Sequence, residues 1–128
     1  MPNTLSSVAS VLAAFDALMR NKKLYRDPDL TLNRLSRRLG IPSRQISGAV
    51  NRLRDRNVSQ AVNAYRIEEA KRLLSETDRP VSEIMLESGF QTKSNFNREF
   101  LRVTGISPSA FRQSLEVDVS DPIPESET

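Results

Sequence analysis

Two stretches of the 128-residue chain, LNRLSRRLGI at 32–41 and VSEIMLESGF at 81–90, repeat one another at a constant offset of 49 residues. Leu32, Leu35, Gly40 and Ile41 of the first stand where Val81, Ile84, Gly89 and Phe90 stand in the second. In each, apolar residues at helical spacing lead to a glycine and then to a second helical segment with a polar outer face. A bracing helix joined by a tight turn to such a second helix is the layout of a helix-turn-helix, whose second helix enters the major groove of DNA. One copy is a weak signal, because any small helical bundle has short helices joined at Gly. Two copies in register make a stronger case. The second turn is one residue longer, since Ile46 aligns with Phe96 and not with residue 95.

Around the repeat the rest of the chain also reads as helix. Val8, Val11, Leu12, Phe15, Leu18 and Met19 step by three and four, which predicts a first helix from about Ser6 to Asn21. Thr31 is the predicted N-cap of a second helix burying Leu32, Leu35 and Leu39 and stopping at Gly40. Ser43 is the predicted cap of a third, with Ile46, Ala49, Val50 and Leu53 inward. A longer segment starts near Asn57 or Ser59 and stops over Thr77–Pro80, and Ser82 is the predicted cap of a fifth helix that ends at Gly89. The sixth presents Phe96, Phe100, Leu101 and Val103 inward and closes at Gly105. Ser107 and Pro108 form an N-cap and N1 pair for a short last helix with Ala110, Phe111 and Leu115. No segment alternates as a strand does, so the expected class is all-α, with seven helices. The expected organisation is a first helix-turn-helix subdomain over 6–56, a linker helix over 57–76, a second subdomain over 77–115 and an acidic, disordered tail over 116–128. The segment Val58–Ser75 would be a strut of about 27 Å at about 1.5 Å per residue. Two heads so spaced would suit successive major grooves, which repeat at roughly 34 Å.

Charge is segregated along the chain. Residues 1–115 hold all 19 Lys and Arg against 11 acids, a net +8, while Glu116, Asp118, Asp121, Glu125 and Glu127 give the end −5. A basic body calls for a polyanionic partner, and a small acidic end reads first as a solvated tail, one that competes with DNA for the basic face. Fifteen of the bases are Arg, whose planar fork suits phosphate and guanine edges.

Several function classes are excluded. With no Cys and no His there is no Cys nucleophile, no Ser/His triad, no disulfide, and nearly no route to a Zn, haem or Fe-S site. The four glycines are isolated, so no phosphate loop is present. Asp55, Glu68, Glu69 and Glu83 do not converge, and helical acids at such spacing usually pair with neighbouring bases. The expectation is no enzyme, with no catalytic residue, cofactor or metal. No apolar run of about 18 residues could span a bilayer. A cytoplasmic, nucleoid-associated protein is the simplest expectation.

The residues Gly89-Phe90, Ser94-x-Phe96-Asn97-Arg98-x-Phe100 and Gly105-x-Ser107-Pro108-x-x-Phe111-Arg112, with Tyr65-Arg66-Ile67-x-x-Ala70-x-x-Leu73-Leu74 before them, are recognisable. The chain resembles the DNA-binding domain of the AraC/XylS family of bacterial transcription regulators over about Ser7–Leu115. The resemblance implies two helix-turn-helix subdomains joined by a long helix. It also implies double-stranded promoter DNA as the partner, bound to activate or repress transcription, with RNA polymerase as a second contact. Four positions depart from the family pattern: Val58 and Ala61 replace aromatics, Met85 replaces a small residue, and Gly48 stands where relatives place a polar or basic reader. The sensor or dimerisation domain of many relatives is missing from these 128 residues, so the chain is either a short stand-alone member or part of a longer one.

Candidate DNA-binding residues follow. On the third helix, Arg44, Gln45, Ser47 and Asn51 occupy the face away from Ile46 and Val50. Arg forks onto guanine and Gln or Asn onto adenine. On the sixth, Lys93, Ser94, Asn97 and Arg98 match the family's DNA-facing positions, and Asn95 reads as a surface or capping residue. Weaker phosphate candidates are Arg37, Arg52, Thr92 and Arg102, with Arg34, Arg38 and Arg54 beside them. The alternative for every one is a solvated helix face. Arg66 reads as a tie from the strut to a neighbouring acid, and Tyr65, Phe90, Phe96, Phe100 and Phe111 as core. The competing function is a helical protein-interaction adaptor docking on another regulator or on RNA polymerase.

Overall fold

The computed structural model describes the backbone of residues 7–120 and the side chains of 7–115. Among the described residues are seven α-helices, α1 (Val8–Lys22), α2 (Leu32–Leu39), α3 (Ser43–Arg54), α4 (Val58–Glu76), α5 (Val81–Glu87), α6 (Lys93–Thr104) and α7 (Pro108–Ser120), with a 3-10 turn at Leu24–Arg26 and no strand.

The helices begin where a side chain or a proline can satisfy the free N–H groups of a first turn. Ser7, Thr31 and Thr92 accept from the backbone N–H three residues on, and Ser107 does the same from Ala110 at 3.1 Å. Asn57 and Gln60 form a reciprocal box at the start of α4, each side chain accepting from the other's backbone N–H at 2.7 and 3.0 Å. Two expected caps are displaced. Pro42 and Pro80, with extended backbone at φ −57° and −58°, hold the N-cap positions of α3 and α5, so Ser43 and Ser82 lie inside their helices. The proline carbonyls receive the first N–H groups instead.

The chain divides into two compact units, Met1–Arg66 and Ile67–Thr128, with the boundary inside α4. The first unit packs α1 against α3, and its core is built on Val11, Phe15, Met19, Leu35, Ile46 and Val50, with Tyr25, Ala61 and Val62 closing it. Tyr65 is half-buried, stacked on Tyr25 at 6.1 Å between ring centroids and edge-on to Phe15 at 6.3 Å. The core of the second unit is Ile67, Ala70, Leu73, Leu74 and Ile84 around a run of phenylalanines. Phe90, Phe96, Phe100 and Phe111 touch in sequence at centroid distances of 5.1, 5.8 and 5.6 Å, tilted or edge to face. Such pairs add stabilisation beyond the area they bury.

Three residues read as inward are exposed: Leu53 (51%), Leu101 (55%) and Val103 (36%). Leu53 and Val103 hold matching positions, each one turn beyond the last buried residue of its helix, Val50 or Phe100. Leu101 is turned by about 100° from Phe100 and so leaves the stripe. The last helix continues to Ser120, past the expected end at Leu115. No Gly or Pro interrupts residues 109–121, and Pro122 is the first strong breaker. The region expected to be disordered thus begins inside α7, and its remainder, 121–128, lies outside the described residues. No helix among the described residues is long and apolar enough to cross a membrane.

Candidate nucleic-acid interface

The turn between α2 and α3 is organised by Ser36. Its carbonyl accepts the N–H groups of Gly40 (2.8 Å) and Ile41 (3.3 Å), and its hydroxyl donates to the Ile41 carbonyl at 2.6 Å. Gly40 takes the left-handed conformation at φ 68°, which residues with a Cβ avoid. Ile41 is then buried, and Pro42 launches α3 with Ile46, Ala49 and Val50 inward. The second copy uses the same logic with different residues. The buried Ser88 hydroxyl donates to the Ile84 carbonyl at 2.7 Å, Gly89 turns at φ 105°, and Phe90 N–H returns to the Met85 carbonyl at 3.1 Å. Phe96, Glu99 and Phe100 form the inward stripe of α6, at positions matching Ile46, Ala49 and Val50.

On α3, Arg44, Gln45 and Asn51 are exposed and Ser47 is half-buried; these four side chains have no partner among the described residues. On α6, Lys93, Ser94 and Asn97 are exposed and likewise unengaged. Arg98 is 68% exposed, donates to Asn95 Oδ1 at 2.7 Å, and lies 4.0 Å from Glu99. Asn95 therefore orients Arg98. On α3 the four candidates lie away from the buried stripe, as read from the sequence; on α6 Ser94, Asn97 and Arg98 do, while Lys93 stands one turn before Phe96, at the start of the helix.

The phosphate candidates separate. Arg37, Arg38 and Arg52 are exposed and have no partner among the described residues. Arg102 instead forks onto the buried carboxylate of Glu99 at 2.8 and 3.1 Å, and the Thr92 hydroxyl is occupied in capping α6, at 3.1 Å from Asn95 N–H. Arg34 pairs with Asp27 at 3.3 Å. Arg54 is drawn back onto Asp16, and the Tyr65 hydroxyl donates to the same carboxylate. Hydrogen bonding to Asp16 raises the Arg54 pKa, and burial, followed by the bond to Asp16, raises that of Tyr65. Three of the acids weighed for carboxylate chemistry are ion-paired: Glu68 with Lys71, Glu69 with Arg72, and Glu83 with Arg79.

Two arginines inside the recognisable motifs hold the scaffold. Arg66 was expected to meet an acid; its fork donates to the carbonyls of Tyr25 (2.7 Å) and Asp27 (2.9 Å) and to Asn63 Oδ1 (3.1 Å). Burial lowers its pKa, and the Asp27 charge opposes that shift. Arg112, given no role from the sequence, donates to the carbonyls of Leu74 (3.3 Å), Thr77 (3.0 Å) and Arg79 (2.8 Å), closing the open end of α4. Spacing alone could not reveal the carbonyl partners of either arginine, because folding brings those backbone groups near.

The family profile described as a helix-turn-helix domain matches residues 35–114. The melibiose operon regulatory protein of Escherichia coli K12 is 30% identical over 87 residues, covering 68% of this chain and 29% of that protein. The arabinose operon regulatory protein of the same strain is 43% identical over 56 residues, 44% of this chain and 19% of that one. The chain thus spans less than a third of the length of either relative. Among solved structures, the C-terminal domain of AraT, a response regulator from Geobacillus stearothermophilus, superposes with a TM-score of 0.69 at 25% identity, covering 79% of this chain and 84% of that one. The C-terminal domain of the response regulator yesN from Fusobacterium nucleatum gives 0.66 at 27%, with 76% and 96% covered. These likenesses do not favour the adaptor alternative. With two matched helix-turn-helix copies and a profile match over most of its length, the chain belongs to the AraC/XylS family of DNA-binding transcription regulators.

Proposed function

We propose that the chain binds duplex promoter DNA with sequence preference, placing α3 and α6 in successive major grooves, and so regulates transcription in the bacterial cytoplasm. The observation that carries this is the pairing of two equivalent helices, each presenting Arg or Lys with Asn, Gln or Ser on an exposed face whose side chains are largely unspent inside the protein. Arg44 and Arg98 are the candidate guanine readers, and Gln45, Asn51 and Asn97 the candidate adenine readers. Arg37 and Arg52 approach phosphates. α4 serves as the linker between the heads, and RNA polymerase is a second partner in activation. A sensor or dimerisation domain would belong to a longer chain.

Selection of bound sequences from a random duplex pool tests the reading. The expected result is a site of two unequal half-sites about one helical turn apart, bound with an affinity that falls steeply with salt, by a log-log slope of about −0.9 per phosphate neutralised. Recovery of a pool with no common sequence would overturn it.

A further inference from the structure

We infer that Gly48 is a specificity-determining position of α3, where a thymine methyl in the major groove comes against bare helix backbone. The inference rests on the DNA-binding reading above. Three of the four glycines turn the chain at positive φ: Gly40 at 68°, Gly89 at 105° and Gly105 at 86°. Gly48 has no such reason. It lies in the middle of α3, where glycine weakens a helix relative to alanine. Nor does packing require it, because a Cβ built there meets no heavy atom within 4 Å. The protein itself gains nothing from the missing side chain.

The place of Gly48 on the helix supplies the reason. At about 100° per residue it falls opposite the stripe of Ile46, Ala49 and Val50, at the centre of the outward face. Arg44 stands one turn before it and Arg52 one turn after, both exposed and without a partner among the described residues. At the matching position of α6, with Ile46 aligned on Phe96, stands Arg98, whose side chain is 68% exposed. One recognition helix therefore carries a long arm at its centre and the other carries nothing. A bare backbone between two flanking arginines suits a surface that comes close, and close approach to a ligand is a use to which glycine is suited. Among base-pair edges in the major groove, the thymine methyl is the apolar group that can rest against a Cα.

The test uses the full chain on the duplex selected from a random pool. Gly48→Ala is expected to raise the melting temperature by a few degrees and to weaken binding to the selected site by about fivefold or more, with affinity for scrambled duplex unchanged. Replacing thymines one at a time by deoxyuridine, which lacks the methyl, is expected to weaken the wild-type chain at one position of one half-site and to leave Gly48→Ala indifferent there. Unchanged or tighter binding of Gly48→Ala to the selected site would overturn the role of Gly48. Wild-type indifference to every deoxyuridine would overturn the thymine contact. A wild-type chain that selects no sequence would overturn the DNA-binding reading and this inference together.

Discussion

Arg54, the last residue of α3, grips Asp16 of α1 with both ends of its fork, Nη2 to Oδ2 at 2.5 Å and Nη1 to Oδ1 at 3.3 Å. The last turn of a proposed recognition helix is thereby tied to the helix beneath it. Asp16 is 13% exposed and Arg54 34%, so the pair is only partly screened by water. Arg54→Ala is expected to destabilise the first unit by about 1–2 kcal/mol, the range for a charged hydrogen bond discounted for partial exposure. Urea unfolding of Arg54→Ala, Asp16→Ala and the double variant checks this, since additive losses would show that the two do not interact.

Tyr65 shares the Asp16 carboxylate, and burial raises its pKa above the ordinary 10.0. The folded chain therefore keeps the phenol proton at a pH where an unfolded tyrosine has lost it. This contribution to stability is complete below pH 10.0 and is lost as pH rises through the raised value. Tyr65→Phe should be less stable than wild type near neutrality and show a shallower fall in stability above that pH. Parallel alkaline unfolding curves for the two proteins would contradict the assignment.

Arg66 and Arg112 each satisfy backbone carbonyls of their own unit, Tyr25 and Asp27 for the first, Leu74, Thr77 and Arg79 for the second. Truncation to alanine strands those acceptors, at a cost of about 1–3 kcal/mol for each one left buried. Hydrogen exchange should accelerate mainly over residues 8–66 in Arg66→Ala and mainly over 67–115 in Arg112→Ala. Equal acceleration throughout in both variants would mean that the two units unfold as one.

Four basic or polar positions should separate on DNA. Arg98→Ala should weaken binding to a selected site by about fivefold to a hundredfold and to scrambled duplex far less. Arg52→Ala should weaken both alike and reduce the salt slope by about 1. Arg102→Ala and Thr92→Ala should leave that slope unchanged, because Glu99 and the first turn of α6 already occupy these side chains. Thr92→Ala should cost about 1 kcal/mol of stability as the loss of a helix cap. A reduced salt slope in Arg102→Ala would show that the Glu99 pair opens to a phosphate.

The sequence by itself determined that the chain is helical, where most helices start and stop, that one unit occurs twice, and which family that unit belongs to. Those features are local: apolar spacing, the capping hydroxyls of Thr31, Thr92 and Ser107, and glycine at the turns act within a few residues. The face shared by Arg44, Gln45, Ser47 and Asn51 was legible for the same reason, since helical spacing alone separates it from Ile46 and Val50. Tertiary structure decided which bases remain available. Arg54 and Arg102 looked like Arg37 and Arg52 in composition and spacing, yet folding brings Asp16 to the first and Glu99 to the second, while the other two meet no partner among the described residues. It also decided where the apolar stripes end, leaving Leu53, Leu101 and Val103 in solvent. An arginine's role depends on which acid or carbonyl comes within about 3 Å. For Arg54, 38 residues from its carboxylate, the fold alone sets that distance.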